Sequence, residues 1–185
     1  MAINDIGLSF TDSRDDARYK VIRVGTRLWT TENCRFYCSA GSFGYGNCNS
    51  NIRSMGCLYA REVLDAVCPD GWRLPTVKEW AEMYSAVYGK FRNLSLVEFM
   101  AGTAAEMGVL PMSGIGKMTG DSLYDEANFA DMQKAAYFWT GSFDKAGDRK
   151  IFRISQEGTK EISSKGRELC SIRLVCLFNK EDPMS

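Results

Sequence analysis

The chain has 185 residues, and its 23 lysines and arginines balance 23 aspartates and glutamates, so the formal net charge is zero. A neutral chain has no overall field to draw it to nucleic acid or an anionic membrane, and neither is an expected partner. Hydrophobic residues make up 45% and charged residues 25%, which excludes a disordered, collagen-like or coiled-coil chain. At this length a domain buries roughly 70% of its unfolded surface, so one domain over 1–185 is expected.

Two features that the sequence lacks limit the reactions that the protein could catalyse and the compartments in which it is expected. The sequence contains no histidine, which removes the usual general base of serine and cysteine hydrolases and the commonest metal ligand. The first twenty residues have neither a basic segment nor an apolar run of signal-peptide length, and no segment reaches the ~18 apolar residues of a membrane span. We therefore expect no export signal, no membrane insertion, no metal and no other cofactor.

The seven cysteines are more than a cytosolic domain of this size usually needs, yet too few for a disulfide scaffold. Their odd number leaves at least one thiol unpaired in a monomer. Zinc sites normally use close Cys-x2-Cys pairs, whereas the short intervals here join Cys34 to Cys38 and Cys170 to Cys176, so zinc is not favoured. Disulfides require an oxidising compartment, which conflicts with the absence of an export signal.

The first predicted element is a β-hairpin over Tyr19–Thr30, where apolar residues alternate with polar ones around a Gly25-Thr26 turn. The following segment, residues 34–56, is rich in Gly, Ser, Asn and Tyr. That composition is typical of a loop.

Two short helices are predicted next. Leu58–Val67 has near-helical apolar spacing and stops before Pro69. Thr76 followed three residues later by Glu79 is the capping-box pattern, which predicts the start of a second helix. Gly89 is the expected end of that helix.

The last hundred residues divide into an irregular part and a β part. In residues 90–134 the pattern allows a third helix over Leu94–Met107 but few strands, since the segment VLPMSGIGKMTG is punctuated by glycines. The polar segments FDKAGDR and QEGTKEISSKGREL are expected to be turns. Strands at both ends with helices between them predict an α+β fold whose ends meet in one sheet. The later strands are predicted over Ala135–Thr140, Lys150–Ser155 and Ser171–Leu177.

Three segments in order resemble a known family. They are FTDSRDDARYKVIRVGTRLWTTEN at 10–33, GCLYAREVLDAVCPDGWRLPTVKEW at 56–80, and YFWTGS with SIRLVC at 137–142 and 171–176. Their order is similar to that of the Fibrobacter succinogenes major paralogous domain family, and the CPxGWxLPxxxEW pattern is the most specific part.

That family resembles the C-type lectin-like fold. The resemblance implies an α+β domain in which small antiparallel sheets join the N- and C-terminal strands, beside two short helices and a long irregular loop region. It also implies one lectin-like domain over 1–185, with an insertion at 90–107 and a short polar tail at 178–185.

The resemblance further implies two disulfides. Cys38 and Cys48 match the family's YC…NC loop, and a bond between Cys68 and Cys176 would tie the end of the first helix to the last strand. The other cysteines match no family position: Cys34, Cys57 and Cys170.

Three kinds of motif that could mark a ligand site are not supported by the sequence. Trp72, Trp80 and Trp139 lie in helix and strand segments, which favours core positions over a sugar-stacking platform. The Glu-Pro-Asn or Gln-Pro-Asp triplet of calcium-dependent lectins is absent, as is their Trp-Asn-Asp triplet, so a calcium site is not expected. The segment SGIGKMTG lacks the spacing of a phosphate-binding loop.

The polar loops between the last strands are the predicted ligand-binding face, because loops on a rigid scaffold carry most binding residues. Plain solvated turns are an equal alternative. The predicted ligand-binding residues are Asp144, Lys145, Asp148, Arg149, Gln156, Glu157, Lys160 and Arg167.

No catalytic residue is predicted, and the expected function is a non-catalytic binding or assembly module displayed outside the producing cell. A phage virion component, either a receptor-binding adhesin or a capsid or tail decoration protein, reconciles disulfides with the missing export signal, because lysis releases virions without export. It would sit on the virion surface and engage a cell-surface glycan or protein, or other virion proteins.

Two alternatives remain open. One is a secreted or surface-anchored bacterial domain whose leader has been removed. The other is a thiol-dependent enzyme resembling the formylglycine-generating enzymes, which use a cysteine pair, and Cys34 and Cys170 are unassigned and available for one.

Overall fold

The computed structural model describes residues 3–90, 112–124, 126–155 and 157–179. Within these ranges the chain is a small α+β protein of mostly antiparallel sheets with few short helices. The α-helices are α1 (Ile52–Met55), α2 (Leu64–Val67) and α3 (Val77–Lys90). The strands are β1 (Ile3–Asp12), β2 (Ala17–Val24), β3 (Arg27–Thr30), β4 (Ser42–Phe43), β5 (Leu58–Tyr59), β6 (Ser113–Met118), β7 (Ala127–Met132), β8 (Ala135–Phe143), β9 (Arg149–Ser155), β10 (Gly158–Ser163), β11 (Glu168–Leu169) and β12 (Val175–Leu177).

One sheet joins the two ends of the described chain in the order β1-β2-β3-β12. Strands β2 and β3 form the predicted hairpin, and Gly25 adopts the positive φ of 64° that its tight turn requires. Strand β12 pairs with β3, with Val175 opposite Trp29. The expectation that the chain ends meet in one sheet is confirmed, and β1 adds an edge strand that the pattern did not predict.

A second sheet has the order β10-β9-β8-β6-β11, with β7 paired to β6. The expectation of few strands in 112–134 and of plain turns throughout 157–169 is wrong, because β6, β7, β10 and β11 lie there. The glycines of β6 allow close strand approach instead of breaking the strand. A Cβ at Gly114 would lie 2.2 Å from the carbonyl oxygen of Ala130, and one at Gly116 would lie 3.0 Å from Leu169.

Helix α3 begins as its sequence predicts. The backbone N–H of Glu79 donates to Thr76 Oγ1 at 3.2 Å, and the N–H of Thr76 donates to Glu79 Oε2 at 2.8 Å. This reciprocal pair is the capping box. The helix extends to Lys90, one residue past Gly89.

The predicted helix over Leu58–Val67 is wrong in its first three residues. Strand β5 begins that segment, and the backbones of Tyr59 and Cys170 exchange hydrogen bonds of 2.9 and 3.2 Å. Pairing with a distant segment therefore overrides the helical spacing at the start, and the rest of the segment is helical, as a 3-10 turn over Arg61–Val63 that leads into α2. The predicted helix over Leu94–Met107 lies outside the described residues, as do nearly all of the insertion at 90–107 and the end of the tail.

The core lies on both faces of β8 and β9. On one face Trp80 of α3 stacks on Phe138 and Phe152, with ring centroids 4.4 and 5.6 Å apart, and meets Trp29 edge-on. On the other face Trp139 is fully buried, and its indole N–H donates to the carbonyl oxygen of Tyr59 at 2.7 Å. The three tryptophans predicted to be core residues are buried: Trp72, Trp80 and Trp139.

A buried polar network ties the two sheets together. Arg173 is 3% exposed, and its Nε donates to Asn33 Oδ1 at 2.7 Å. The amide of Asn33 donates to Ser171 Oγ at 3.2 Å, and that hydroxyl lies 2.8 Å from Ser113 Oγ of β6. In the predicted strand Ser171–Leu177, the alternation of residues places Arg173 on the face opposite the apolar one. The alternation does not reveal that this second face is also buried.

Candidate functional site

A surface cleft of about 280 Å³ opens between the β6–β7 loop and the β10–β11 turn. Its charged lining residues come from three segments that are distant in sequence. A backbone hydrogen bond of 3.0 Å from Met118 to Arg167 joins the two main walls. The lining combines apolar Met118 and Leu123 with charged Glu62, Asp121, Lys165 and Arg167.

One wall of the cleft is a rigid turn at residues 164–167. The carboxylate of Glu168 accepts hydrogen bonds from the Ser164 hydroxyl at 2.7 Å and from the backbone N–H groups of Lys165 and Gly166 at 2.9 and 3.0 Å. Burial alone would raise the pKa of Glu168, but these donors lower it, so the carboxylate stays charged. The turn therefore presents Lys165 and Arg167 from a fixed backbone.

The facing wall is the β6–β7 loop. Its base is closed by Thr119, whose N–H and hydroxyl both donate to the carbonyl oxygen of Glu126, at 2.9 and 2.7 Å. At its tip the carboxylate of Asp121 forms an ion pair with the guanidinium of Arg167 across the cleft. Asp121 is 88% and Arg167 46% exposed, so this surface pair contributes at most about 1 kcal/mol and can exchange partners.

The lining of the cleft carries two carboxylates, on Glu62 and Asp121, and two cations, on Lys165 and Arg167, and a third cation lies beside it. The guanidinium of Arg61 lies 3.8 Å from the position that a Cβ at Gly166 would occupy. Its ion pair with Glu62 is long, at 3.9 Å between exposed side chains. Among the described residues, the ammonium of Lys165 has no ion-pair partner.

Among the predicted ligand-binding residues that the structure describes, only one lines the cleft. Arg167 lies in the cleft, whereas three others belong to the β8–β9 turn: Asp144, Lys145 and Asp148. The carboxylate of Asp144 accepts from the N–H groups of Ala146 and Asp148 at 2.8 and 3.0 Å and from the hydroxyl of Ser163. Asp144 therefore holds its own turn, as the alternative of plain turns expected.

Arg149 is held by the protein. Its Nη1 donates to the carbonyl oxygen of Thr140 at 2.9 Å, and its guanidinium lies 4.7 Å from the centre of the Phe143 ring. Its Nε is buried and makes no hydrogen bond within the described structure. Burial lowers the pKa of this guanidinium.

The remaining predicted residues lie at the opposite end of the β9–β10 hairpin. Glu157 forms an ion pair with Arg153 at 3.3 Å, and Lys160 is exposed opposite Arg153. Gln156 lies outside the described residues.

All seven cysteines are free thiols in the structure, so neither predicted disulfide is formed in it. Cys48 is exposed, with its Sγ 3.0 Å from Ser50 Oγ, while Cys38 is half-buried. Cys68 and Cys176 pack against the same apolar cluster. Both pairings stay predictions for the oxidised protein.

The two cysteines that an enzyme would need are buried. Cys34 is 1% exposed, and its Sγ lies 3.8 Å from the hydroxyl of Tyr19. Cys170 is fully buried. Burial raises the pKa of both thiols, which keeps them protonated at neutral pH.

Sequence patterns missed most of the cleft. Arg61 and Glu62 were assigned to a helix, and Asp121 fell in a segment expected to be irregular. Lys165 lies within the predicted polar segment, and the Lys165-Gly166 pair is a turn signal that could have singled it out.

The described residues contain no group of three Cys, Asp or Glu side chains arranged to hold a metal ion. None of the helices in the described part of the chain combines the length and apolar character that crossing a bilayer requires.

Comparison with known proteins gives one match. The model of the Fibrobacter succinogenes major domain matches residues 22–176. This range includes both walls of the cleft and all seven cysteines. No curated protein and no solved structure gives a significant match.

Proposed function

The chain belongs to the Fibrobacter succinogenes major domain family, and on that premise we propose that it is a non-catalytic binding module that engages a cell-surface glycan or protein through the cleft. The observation that carries this proposal is the cleft itself. Its charged side chains are exposed and stand on turns that backbone hydrogen bonds hold in place. Binding sites are commonly built in this way, from loops on a rigid scaffold.

A C-type lectin-like fold is part of the proposal. It is supported by the pairing of the last strand with the N-terminal hairpin, and by the packing of α3 against β8 and β9. It is also supported by the position of the cleft, between loops that follow the helical part of the chain.

Binding without chemistry is favoured over the thiol-dependent enzyme. A reactive cysteine needs an accessible thiolate. The buried positions and raised pKa values of Cys34 and Cys170 argue against that role.

The proposed location is outside the producing cell, with the virion surface as the first candidate and the bacterial surface as the second. The number of cysteines supports an oxidising environment. Detecting the chain by mass spectrometry in purified virions would support a role as adhesin or decoration protein. Finding it only in the cytosol of the producing cell would contradict the location.

Glycan arrays and intact bacterial cells test the function. We expect the wild-type protein to bind at least one of these surfaces saturably, and the double variant Arg61→Ala/Arg167→Ala to bind it weakly at an unchanged melting temperature. Oxidase activity towards a cysteine-containing peptide, lost in Cys34→Ser or Cys170→Ser, would overturn the proposal in favour of the enzyme. Failure to bind either surface would also contradict it, and would favour assembly with other virion proteins.

A further inference from the structure

We infer, on the basis of the proposed binding function, that the cleft takes a saccharide ring that carries an anionic group, such as a carboxylate or a sulfate. Four features of the cleft support this ligand class: its size, its mixed hydrogen-bonding groups, two cations without a close ion-pair partner among the described residues and its apolar lining.

The size of the cleft favours a small ligand. Its volume of about 280 Å³ lies just below the usual range of ligand pockets, about 300 to 1,000 Å³. A stable protein partner would instead need about 800 Å² of surface on each side. A concave site of this volume therefore suits one sugar ring better than a folded partner.

The ion pair of Arg167 with Asp121 suits hydroxyl groups. A hydroxyl both donates and accepts hydrogen bonds, so neighbouring hydroxyls on a ring match a guanidinium beside a carboxylate. Because both side chains are exposed, opening their pair for a ligand costs little. The pair thus offers a donor and an acceptor to the same ring.

The cations of the cleft favour a negative charge on that ring. Lys165 has no ion-pair partner among the described residues, and Arg61 lies 3.9 Å from its nearest carboxylate, on Glu62, beyond hydrogen-bond distance. Hydrogen bonds from cations to anions are shorter and stronger than neutral ones. A carboxylate or sulfate on the ring would therefore gain a charged contact with Lys165 or Arg61 that a neutral ring cannot make.

The apolar groups complete the match. Met118 and Leu123 line the cleft, and the side chain of Tyr124, which follows Leu123 in the same loop, is 79% exposed. A tyrosine ring offers a large apolar face with a polar end, which suits the alternately apolar and polar surface of a sugar ring.

Calorimetric titration with three oligosaccharides of equal length tests the inference: one containing glucuronate, one sulfated and one neutral. We expect the wild-type protein to bind at least one anionic oligosaccharide about tenfold more tightly than the neutral one, and to lose affinity as salt is added. The better of the two anionic ligands identifies the recognised group.

Matched variants locate the contact. Lys165→Ala should lower the affinity for the anionic oligosaccharide about tenfold. Lys160→Ala, at an exposed lysine on β10, should leave that affinity unchanged. Likewise Tyr124→Ala should weaken binding and Tyr37→Ala, at another exposed tyrosine, should not. Melting temperatures of all four variants should match the wild type, which separates loss of contact from loss of fold.

Failure of the anionic-ligand inference can be distinguished from failure of the proposed binding function. Equal affinity for neutral and anionic oligosaccharides, or an array that retains only neutral glycans, would overturn the inference and leave the binding function intact. The same holds if Lys160→Ala weakens binding and Lys165→Ala does not. If the protein binds no glycan and no cell, the proposed function itself fails.

Discussion

Around Trp80, aromatic rings from β3, α3, β8 and β9 meet in an interior that excludes water, whereas around Lys165 charged side chains from three loops meet at the surface. The rings around Trp80 are at most 3% exposed, so they offer a ligand no surface. The cleft contributes little to the stability of the fold, because the ion pair between Arg167 and Asp121 that joins its walls is exposed to solvent. Stability and binding are therefore expected to reside in different residues, and substitutions should separate them.

The largest expected effect is at Trp80. Trp80→Ala removes ring contacts with Trp29, Phe138 and Phe152 and leaves a cavity, which should cost about 3 to 5 kcal/mol. For a domain of this length, each kcal/mol lowers the melting temperature by about 2 to 4 °C. Lys78→Ala on the same helix is the control, since Lys78 is 87% exposed. Equal melting temperatures for the two variants would contradict the assignment of stability to this cluster.

A smaller effect is expected at Glu79, which fixes the start of α3. Its carboxylate accepts from Arg73 at 2.8 and 2.6 Å and from Thr76. Glu79→Gln keeps the shape but removes the charge, and should cost about 1 to 3 kcal/mol. Burial alone would raise the pKa of Glu79, but the bonds from Arg73 and Thr76 lower it from 4.5 to about 2.

The low pKa of Glu79 predicts a pH dependence. Because the folded protein binds this proton less tightly than the unfolded chain, the stabilisation is fully present above about pH 4.5 and disappears as the pH falls towards about 2. Urea midpoints measured across this range should fall less steeply for Glu79→Gln than for the wild type. Parallel curves would show that the carboxylate is not held as described.

The rate at which each cysteine is alkylated should depend on its burial. Cys48 is exposed, and hydrogen bonds from Ser50 lower its pKa, whereas burial raises the pKa of Cys34 and Cys170. We expect iodoacetamide to modify Cys48 first in the folded protein kept under reducing conditions, and Cys34 and Cys170 only on unfolding. Peptide mapping by mass spectrometry measures the order, and Cys48→Ser should remove the fast phase. Rapid modification of Cys34 or Cys170 would revive the enzyme alternative.

The same map tests the pairing of Cys68 with Cys176. A disulfide closing a loop of about 100 residues would add roughly 4 to 5 kcal/mol in the chain-entropy model. Protein isolated under oxidising conditions should then resist alkylation at both positions until it is reduced. Quantitative alkylation of both before reduction would exclude the bond.

The smallest effect on stability is expected in the cleft. Lys165→Ala removes an exposed side chain with no ion-pair partner among the described residues, so the free energy of unfolding should change by less than about 0.5 kcal/mol. Urea unfolding measures it, with Lys160→Ala alongside. A loss above 1 kcal/mol, roughly the upper limit for a surface ion pair, would show that the cleft and the scaffold are not separable.

Local signals explain what the sequence predicted correctly. The capping box of Thr76 and Glu79 and the alternation around Gly25 are each satisfied by neighbouring residues. Trp80 and Trp139 are large enough to be assigned to the core from their positions alone. These features need no knowledge of distant contacts.

Long-range contacts explain what the sequence did not reveal. Gly114 and Gly116 suggested an irregular segment, but they serve close packing against Ala130 and Leu169. The cleft likewise exists only because Met118 pairs with Arg167, which brings two loops together from distant parts of the chain. Arg167 was identified from its polar surroundings, while its ion-pair partner Asp121 had no local signal.

Amide chemical-shift mapping by NMR tests the central claim, that the ligand binds in the cleft and not on the β9–β10 hairpin. The protein is titrated with whichever of the two anionic oligosaccharides binds more tightly, and the perturbed amides are assigned. We predict shifts concentrated at 61–62, 118–124 and 164–167, with residues 157–160 unaffected. Shifts confined to 144–148 and 157–160, with none at 164–167, would contradict this account of the site.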